Sequence, residues 1–253
     1  YARHCYEVSR ELRERCPVAH STAHGGFWTV CRYADARQLL GDSGHLATQP
    51  TMIIPVNPGA TAMLPIQAPT DMHRDLRRIL DPFFRLNAIN EYETGMLEIA
   101  DGLIDAFSER GRCEFVTEFA QRMPSIVLFL LLLGLPEDAI DEAYHWTLRL
   151  THSIDADDRS SVHSNFRALI YRLVEQRRHE PQRGDVVDAL LGAHVAGRHI
   201  TDDEVARTLM QLVGAGLDTT RRAFGNIVVN LVRHPELRRV LEADREALPR
   251  AIE

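Results

Sequence analysis

Apolar residues recur at helical spacing through the stretch that begins at Thr201 and ends at Arg233. They stand at Val205, Leu209, Leu212, Val213, Ile227, Val228, Leu231 and Val232. Thr201 and Glu204 have the spacing of a capping box, with acidic residues in the first turn, where the helix dipole favours them. The pattern stops at His234 because Pro235 disfavours helix in the residue before it. The sequence therefore predicts one helix of about 32 residues, roughly 48 Å long.

The centre of that helix departs from ordinary helical preferences. Gly214 and Gly216 each cost about 1 kcal/mol relative to Ala. Asp218 and Thr219 compete for backbone hydrogen bonds. Ala215 lies one turn before Thr219, so the threonine hydroxyl can reach the Ala215 carbonyl. Two interpretations remain open: a close crossing of two helices that requires small residues, or a flat ligand lying against the backbone beside an acid and an alcohol.

The rest of the chain is predicted to be mostly helical. Helical patterns cover 7–15, 33–40 and 69–80, the last with Thr70 or Asp71 as its cap, then two stretches each within 88–133 and 137–180, and a short helix at 185–193. Residues 25–30 predict a turn and one short strand, and 44–68 predict a long loop. The run 126–133 is apolar all round, which predicts a buried helix. These patterns indicate a mainly α fold with a small N-terminal β element.

Composition excludes several classes of function. The net charge is −7, so no general basic field favours binding to nucleic acid. All 29 basic residues are Arg, which excludes a Schiff-base lysine mechanism. The four cysteines lack CxxC spacing, which argues against structural zinc and suits a reducing, cytoplasmic location. No apolar run is long enough to cross a membrane.

Residues 215–220, Ala-Gly-Leu-Asp-Thr-Thr, resemble the central I-helix motif of cytochrome P450, (A/G)-G-x-(D/E)-T-T. Residues 25–42 are similar to the N-terminal strand and B helix of bacterial-type P450s, and 234–253 to the J helix and the start of the K helix. The resemblance implies a P450-like helical fold. It implies that residues 1–253 form a single, incomplete domain, from the N-terminal strand and B helix to the start of the K helix.

The resemblance also implies a cofactor and catalytic residues. Heme b (iron protoporphyrin IX) would lie against Ala215 and Gly216, and Asp218 and Thr219 would be the catalytic acid–alcohol pair that manages protons. His73 and Arg77 match the family's H-x-x-x-R and would bind the haem propionates. The residues before His73 depart from the family's D-P-P-x-H, so the entry to that helix is expected to differ.

The implied activity is that of a monooxygenase, which places one oxygen atom from O2 in a small organic substrate. Electrons would come from a ferredoxin-type partner with an NAD(P)H-dependent reductase, and Arg74 and Arg78 could contribute to its docking face. The resemblance implies no binding to nucleic acid or membrane. The candidate pocket residues are Met52, Ile53, Ile54, Met63 and Leu64 in the loop, Leu212 in the I helix, and Trp146, Leu150 and His152 in the lid helices. For each of them the alternative is ordinary core packing.

One part of the family pattern has no counterpart here. The axial thiolate of P450s belongs to F-x-x-G-x-x-x-C-x-G, and none of Cys5, Cys16, Cys31 and Cys113 has this spacing. The chain therefore holds no metal ligand of its own, and the axial cysteine is expected in a missing segment. Either the chain is part of a longer, working enzyme, or it is a haem-free P450-like auxiliary protein that binds another enzyme, such as a glycosyltransferase. The complete acid–alcohol pair favours the enzyme, because a scaffold gains nothing from residues that cost helix stability.

Overall fold

The computed structural model describes residues 4–42, 44–48, 54, 61–152 and 156–252, with side chains everywhere except 137–138, 147–148, 150–152, 156–160 and 245. The first elements are α1 (Cys5–Arg15), β1 (Val18–Ser21), β2 (Phe27–Val30), α2 (Tyr33–Leu40), α3 (Thr70–Leu80), α4 (Leu86–Glu91) and α5 (Glu93–Ser108). They are followed by a π-helical segment (Val116–Ala120), α6 (Arg122–Ile126), a second π-helical segment (Val127–Leu132), α7 (Glu137–His152), α8 (Ala156–His179) and α9 (Val186–Leu191). The last are β3 (His194–Val195), β4 (Arg198–His199), α10 (Asp202–Arg233), α11 (Pro235–Ala243) and α12 (Leu248–Ile252). The mainly α fold with a small N-terminal β element is confirmed.

The chain divides into two compact units, residues 1–74 and 75–253, and α3 crosses the boundary. In the first unit β1 and β2 pair in antiparallel register, with Val18 opposite Val30 and Ser21 opposite Phe27. The second unit holds the remaining helices and the β3–β4 hairpin. The prediction of a single, incomplete domain stays a prediction.

The core of the second unit forms where α10 packs on α8, α9 and α6. Its fully buried side chains belong to several helices: Phe129, Leu133, Val162, Ile170, Val174, Val186, Leu190, Val205 and Leu209. Each buried Leu, Ile or Val contributes about 1.5–3 kcal/mol relative to an exposed one. The first half of α10 is therefore fixed mainly by apolar packing.

A buried arginine joins α8 to α9. The Arg177 side chain is 1% exposed and donates from Nη1 and Nη2 to Asp185, at 2.8 and 3.0 Å. It also pairs with Asp188 at 2.5 Å. Asp185 is the N-cap of α9 and accepts from the backbone N–H groups of Val187 and Asp188. One ion cluster thus engages both terminal nitrogens of a buried guanidinium, although its Nε has no hydrogen-bond partner, and the same cluster starts the next helix.

Helix α10 begins and ends where the sequence predicts. Thr201 and Glu204 form both halves of the capping box, and the helix ends at Arg233, before His234 and Pro235. It runs unbroken through Gly214 and Gly216. The contacts of its first half offset the cost of the two glycines, because tertiary packing supplies most of a helix's stability.

The structure differs from the sequence prediction in two places. The described residues contain four short strands rather than one, because strands of two to four residues are too short for alternation to be read from sequence. The apolar run 126–133 is π-helical over most of its length, and only Phe129, Leu132 and Leu133 are fully buried. Its other side chains are half-buried, so the prediction of a buried helix is wrong for five of the eight residues of this run.

The hydropathy of the helices shows whether any of them could span a membrane. Among the described helices, none combines the length and apolarity needed to cross a bilayer.

Candidate functional site

The centre of α10 presents a small-residue face that other side chains leave open. Ala215 and Thr219, one turn apart, are both exposed, and the same side of the helix continues through the exposed Arg222 and Asn226. The Thr219 hydroxyl donates to the Ala215 carbonyl oxygen at 2.6 Å. That bond is the one predicted from their spacing, and it leaves the hydroxyl's lone pairs free to accept.

Gly216 lies on a different face of the helix from Ala215. A Cβ at Gly216 would lie 3.7 Å from Leu128 Cδ1, which is ordinary van der Waals contact. A Cβ at Gly214 would have no such neighbour within 4 Å. The helix-crossing interpretation thus has a contact at Gly216, whereas the flat-ligand interpretation concerns the open face formed by Ala215 and Thr219.

Asp218 is half-buried beside that face and is held by two arginines of its own helix. Arg221 Nη2 donates to Oδ1 at 2.5 Å, and Arg222 Nε donates to Oδ2 at 2.7 Å. The hydrogen bond from Arg221, with help from Arg222, lowers the pKa of Asp218 below its usual value. The two side chains differ in burial, since Arg221 is 19% exposed and Arg222 is 70% exposed. These two partners were not predicted from the sequence, although their i+3 and i+4 spacing places them within reach of Asp218.

The two donors predicted on α3 are exposed. His73 and Arg77 lie four residues apart on the helix, with exposed side chains. Arg77 Nη2 pairs with Asp81 at 2.7 Å, and both side chains are about half exposed. An exposed pair of this kind contributes about 0–1 kcal/mol, so the guanidinium can exchange Asp81 for another anion at little cost. Arg74 and Arg78 pair with Asp71 and Asp75 in the same way.

The predicted pocket residues have different environments. Leu64 is 2% exposed, whereas Met63 and Leu212 are half-buried and Ile54 is exposed. Trp146 is half-buried and donates from Nε1 to Glu142 at 3.3 Å. Met52 and Ile53 lie outside the described residues, as do the side chains of Leu150 and His152. Contact with a substrate stays a prediction for all of them.

The second unit also contains an apolar cavity that sequence analysis did not predict. Its volume is about 260 Å³, and it is lined from α10 by Gly216, Thr220 and Phe224. Facing them are Met96, Leu128, Leu131 and neighbouring apolar side chains. The cavity belongs to the Gly216 face of α10, not to the face of Ala215 and Thr219. Three half-buried residues of the run 126–133, Val127, Leu128 and Leu131, line it, and this explains their partial exposure.

Comparison with known proteins identifies the family. The family model "Cytochrome P450" matches residues 139–250. The vitamin D(3) 25-hydroxylase of Pseudonocardia autotrophica is 30% identical over 255 residues, which cover 96% of this chain and 61% of that protein. Over almost its whole length the chain thus matches the front part of bacterial-type cytochrome P450s. It spans about three fifths of the length of such curated P450 relatives.

Other P450s agree in sequence and in fold. The mycinamicin IV hydroxylase/epoxidase of Micromonospora griseorubida is 29% identical, with 96% of this chain and 62% of that protein covered. A structure of the mixed-function P450 MycG superimposes with a TM-score of 0.81 at 27% identity, covering 97% of this chain and 64% of that one. Mycobacterium marinum CYP268A2 superimposes with a TM-score of 0.85 at 22% identity, over 97% and 64% of the two chains, and this supports the fold alone.

The residues present fit the cofactor that the P450 family implies. A planar macrocycle needs a helix face free of large side chains, and α10 offers one where Ala215 and Thr219 are exposed and a Cβ on Gly214 would meet open space. The propionates of a haem need cationic or hydrogen-bonding partners. His73 and Arg77 have that chemistry, and each is accessible on α3. Each of the two helices, taken by itself, thus has the chemistry that a haem requires of it.

Proposed function

We propose that the whole protein is a haem-thiolate monooxygenase that inserts one oxygen atom from O2 into a small organic substrate. The observation that carries the proposal is the open face of α10, where the exposed Thr219 and Ala215 lie beside the half-buried acid Asp218. P450 relatives that are named hydroxylases or epoxidases support the reaction class. When bound, heme b supplies the dioxygen and electron-transfer chemistry, and the chain's own residues supply position and proton control.

Ala215 would let the macrocycle approach the helix, and the adjacent Gly216, which faces Leu128, would add no side chain beside it. The Thr219 hydroxyl would accept a hydrogen bond from an ordered water in the site, or donate one to it, and so position a proton donor. Asp218 carries protons inward from solvent as a general acid. Its carboxylate is held ionised by Arg221 and Arg222, so each transfer requires these ion pairs to loosen. Asp218 and Thr219 are thus the proposed catalytic residues.

Binding of the cofactor and the substrate falls to other elements. His73 and Arg77 anchor the propionates, with Arg77 exchanging its Asp81 partner for the cofactor. Met63, Leu64 and Leu212 supply apolar walls for the substrate. Specificity resides in such walls, because a pocket discriminates by shape and by a few polar contacts.

We also infer the setting in which the enzyme works. A ferredoxin-type protein with an NAD(P)H-dependent reductase delivers the electrons, and Arg74 and Arg78 contribute to its docking face. The cytoplasm supplies NAD(P)H and keeps the cysteines reduced, so we place the protein there. Neither nucleic acid nor membrane has a role in this proposal.

The test compares two adjacent threonines in the whole protein. Thr219→Ala should keep haem binding but release more hydrogen peroxide per dioxygen consumed, because the group that orients the proton donor is lost. Thr220→Ala is the matched control, since Thr220 lines the apolar cavity on another face. The measurements are product and peroxide per NAD(P)H oxidised, with the carbon monoxide difference spectrum of the reduced protein.

Two results would contradict the proposal. Equal coupling in the parent and Thr219→Ala would remove Thr219 from the mechanism. A whole protein that binds no haem and yields no thiolate-type carbon monoxide spectrum would exclude the monooxygenase, and a haem-free auxiliary role would then replace it.

A further inference from the structure

The β3–β4 hairpin, which precedes α10, brings two histidines together. His194 and His199 are cross-strand partners in the antiparallel register. Their ring centroids lie 3.7 Å apart, with the ring planes inclined at 45°. Both residues are exposed, and nothing in the proposed oxygenase chemistry uses them.

The hairpin is built to hold this pair in place. Its two-residue turn has positive φ at Ala196 (48°) and Gly197 (77°), as in the type I′ turns whose twist matches that of paired strands. The Ile200 N–H donates to the Ala193 carbonyl at 3.1 Å. Hydrogen-bonded and non-hydrogen-bonded pairs alternate along an antiparallel ladder, so His194 and His199, next to the bonded pair of Ala193 and Ile200, form a non-hydrogen-bonded pair. Side chains lie closer together in such a pair than in a hydrogen-bonded one.

Buried neighbours fix the orientation of the hairpin. Ala193, Val195 and Ile200 are buried, which leaves the two imidazoles on the outward face. The Ala196 N–H donates to Asp75 Oδ2 at 3.0 Å and ties the turn to α3 within the second unit. Ordering the pair therefore costs little further entropy when a ligand binds.

The charge beside the pair is already balanced. Arg198 donates to Glu204 from Nη1 and Nη2, at 2.8 and 2.6 Å. A cation approaching the imidazoles therefore meets an ion pair instead of an unpaired guanidinium. The preference of this site for a ligand is therefore set by the two adjacent imidazoles and not by the charge around them.

We propose that His194 and His199 chelate one divalent transition-metal ion of the Zn2+, Ni2+ or Cu2+ type. Neutral imidazole is a preferred ligand for these ions, whereas Mg2+ and Ca2+ select oxygen. In the described part of the chain, no three metal-ligating side chains converge. The site is therefore a two-histidine chelate whose other coordination positions are filled by water. It is independent of the haem and of the proposed oxygenase reaction.

The alternative is a cross-strand ring contact with no ligand, which would contribute about 0.2–1 kcal/mol to the hairpin. The two possibilities differ in what a metal does to the protein. A chelated ion binds the folded hairpin and raises the melting temperature, whereas a simple ring contact gives no metal dependence.

The experiment titrates the untagged, full chain with Zn2+, Ni2+ and Cu2+ by calorimetry. His194→Gln and His199→Gln are compared with His179→Gln, which removes an exposed histidine of α8 far from the hairpin in sequence. We expect one ion per chain in the parent and in His179→Gln, with Cu2+ bound most tightly of the three. Each hairpin variant should bind at least about tenfold more weakly, since even an outer-shell partner of a metal ligand is typically worth about 10–100-fold.

Two additional measurements make the result decisive. Electron paramagnetic resonance of the Cu2+ complex should show two coordinated nitrogens in the parent and one in either hairpin variant. Far-UV circular dichroism should show that both variants remain folded. Affinity that survives either hairpin substitution, the absence of a one-to-one site in the parent, or equally tight Mg2+ binding would each overturn the proposal.

Discussion

The two halves of α10 have different tasks, although they form one continuous helix. All the buried residues of the first half lie between Val205 and Val213, whereas Leu217 is the only buried residue in 214–233, a stretch that is described throughout. Exposed small and polar residues, Ala215 and Thr219 among them, begin where the buried run ends. The first half fixes the helix in the core, and the second half presents side chains.

Polar groups follow the same division. At the start of α10, Glu204 closes the capping box and is also held by Arg198, so it has a structural use. In the centre, Asp218 is held by Arg221, which is 19% exposed, and by Arg222, which is 70% exposed and whose pair can open to solvent. A proton-carrying residue needs such freedom, whereas a cap needs permanence. The comparison therefore predicts that the stability of the protein depends mainly on the first half of α10 and that the proposed chemistry depends on the second half.

The largest effect is expected from a core residue of the first half. Leu209→Ala removes a side chain that is fully buried and should lower the free energy of unfolding by about 2–5 kcal/mol, through lost transfer energy and a residual cavity. Val232→Ala, at a position 74% exposed in the second half, should change it by no more than about 0.5 kcal/mol. Urea unfolding followed by circular dichroism measures both. Similar losses in the two variants would mean that the halves do not divide stability as proposed.

Sequence alone predicted the first half of α10 well, because its signals are local. The capping box, the apolar spacing and the stop at Pro235 each depend on residues within a few positions, and all are present. The partners of the polar groups were harder to predict. Arg198 reaches Glu204 across six residues, and this contact depends on the path that the chain takes from β4 into the first turn of α10.

The proposed site was only partly predictable, for the same reason. The bond from Thr219 to Ala215 follows from helical spacing, and so do the arginines that hold Asp218. The separation of Gly216 from the open face depends on Leu128, which is distant in sequence. Spacing could not distinguish the glycine that packs against a helix from the alanine that stays open. The pairing of His194 with His199 likewise becomes visible only through the strands.

A medium effect is expected at the cap of α10, and it should depend on pH. Hydrogen bonding from Arg198 is the largest cause that lowers the pKa of Glu204, to about 2 from an ordinary value of 4.5. Because the pKa is depressed in the folded state, the stabilisation is present above pH 4.5 and is lost as the pH falls from 4.5 toward 2. Glu204→Gln should lower the free energy of unfolding on the order of 1–3 kcal/mol at pH 7, after allowance for the half-exposed Arg198.

Unfolding of the parent and of Glu204→Gln at pH 7 and at pH 3 measures this effect. The difference between them should shrink at pH 3. The control is Glu175→Gln, at an exposed glutamate of α8, which should stay within about 0.5 kcal/mol of the parent at pH 7. A difference at Glu204 that is equal at both pH values would show that its charge is not what stabilises the cap.

The smallest effect on stability is expected at the centre of α10, where a change in protonation should appear instead. Arg221→Met removes the hydrogen bond that contributes most to the low pKa of Asp218, so that pKa should rise toward its ordinary value. Arg222→Ala should raise it less, because Arg222 is the more exposed partner. Arg222→Ala should change the free energy of unfolding by no more than about 1 kcal/mol, since an exposed pair is weak. Arg221→Met should have a similarly small effect, because Met keeps the apolar stem of this mostly buried side chain and Arg222 still pairs with Asp218. Carbon-13 NMR titration of the Asp218 carboxyl group measures the pKa, and urea unfolding measures the stability.

Comparing the change in the Asp218 pKa between Arg221→Met and Arg222→Ala distinguishes an electrostatic role of the arginines from a structural one. A larger shift in Arg221→Met, with stability nearly unchanged, would mean that the less exposed arginine sets the charge of the acid while the core of the first half holds the helix. A loss of stability as large as that of Leu209→Ala would instead make the Asp218 cluster a structural element, like the buried Arg177 cluster. Asp218 would then lack the freedom that proton transfer requires, and the division between the two halves of α10 would be wrong at the residue on which the proposed chemistry depends.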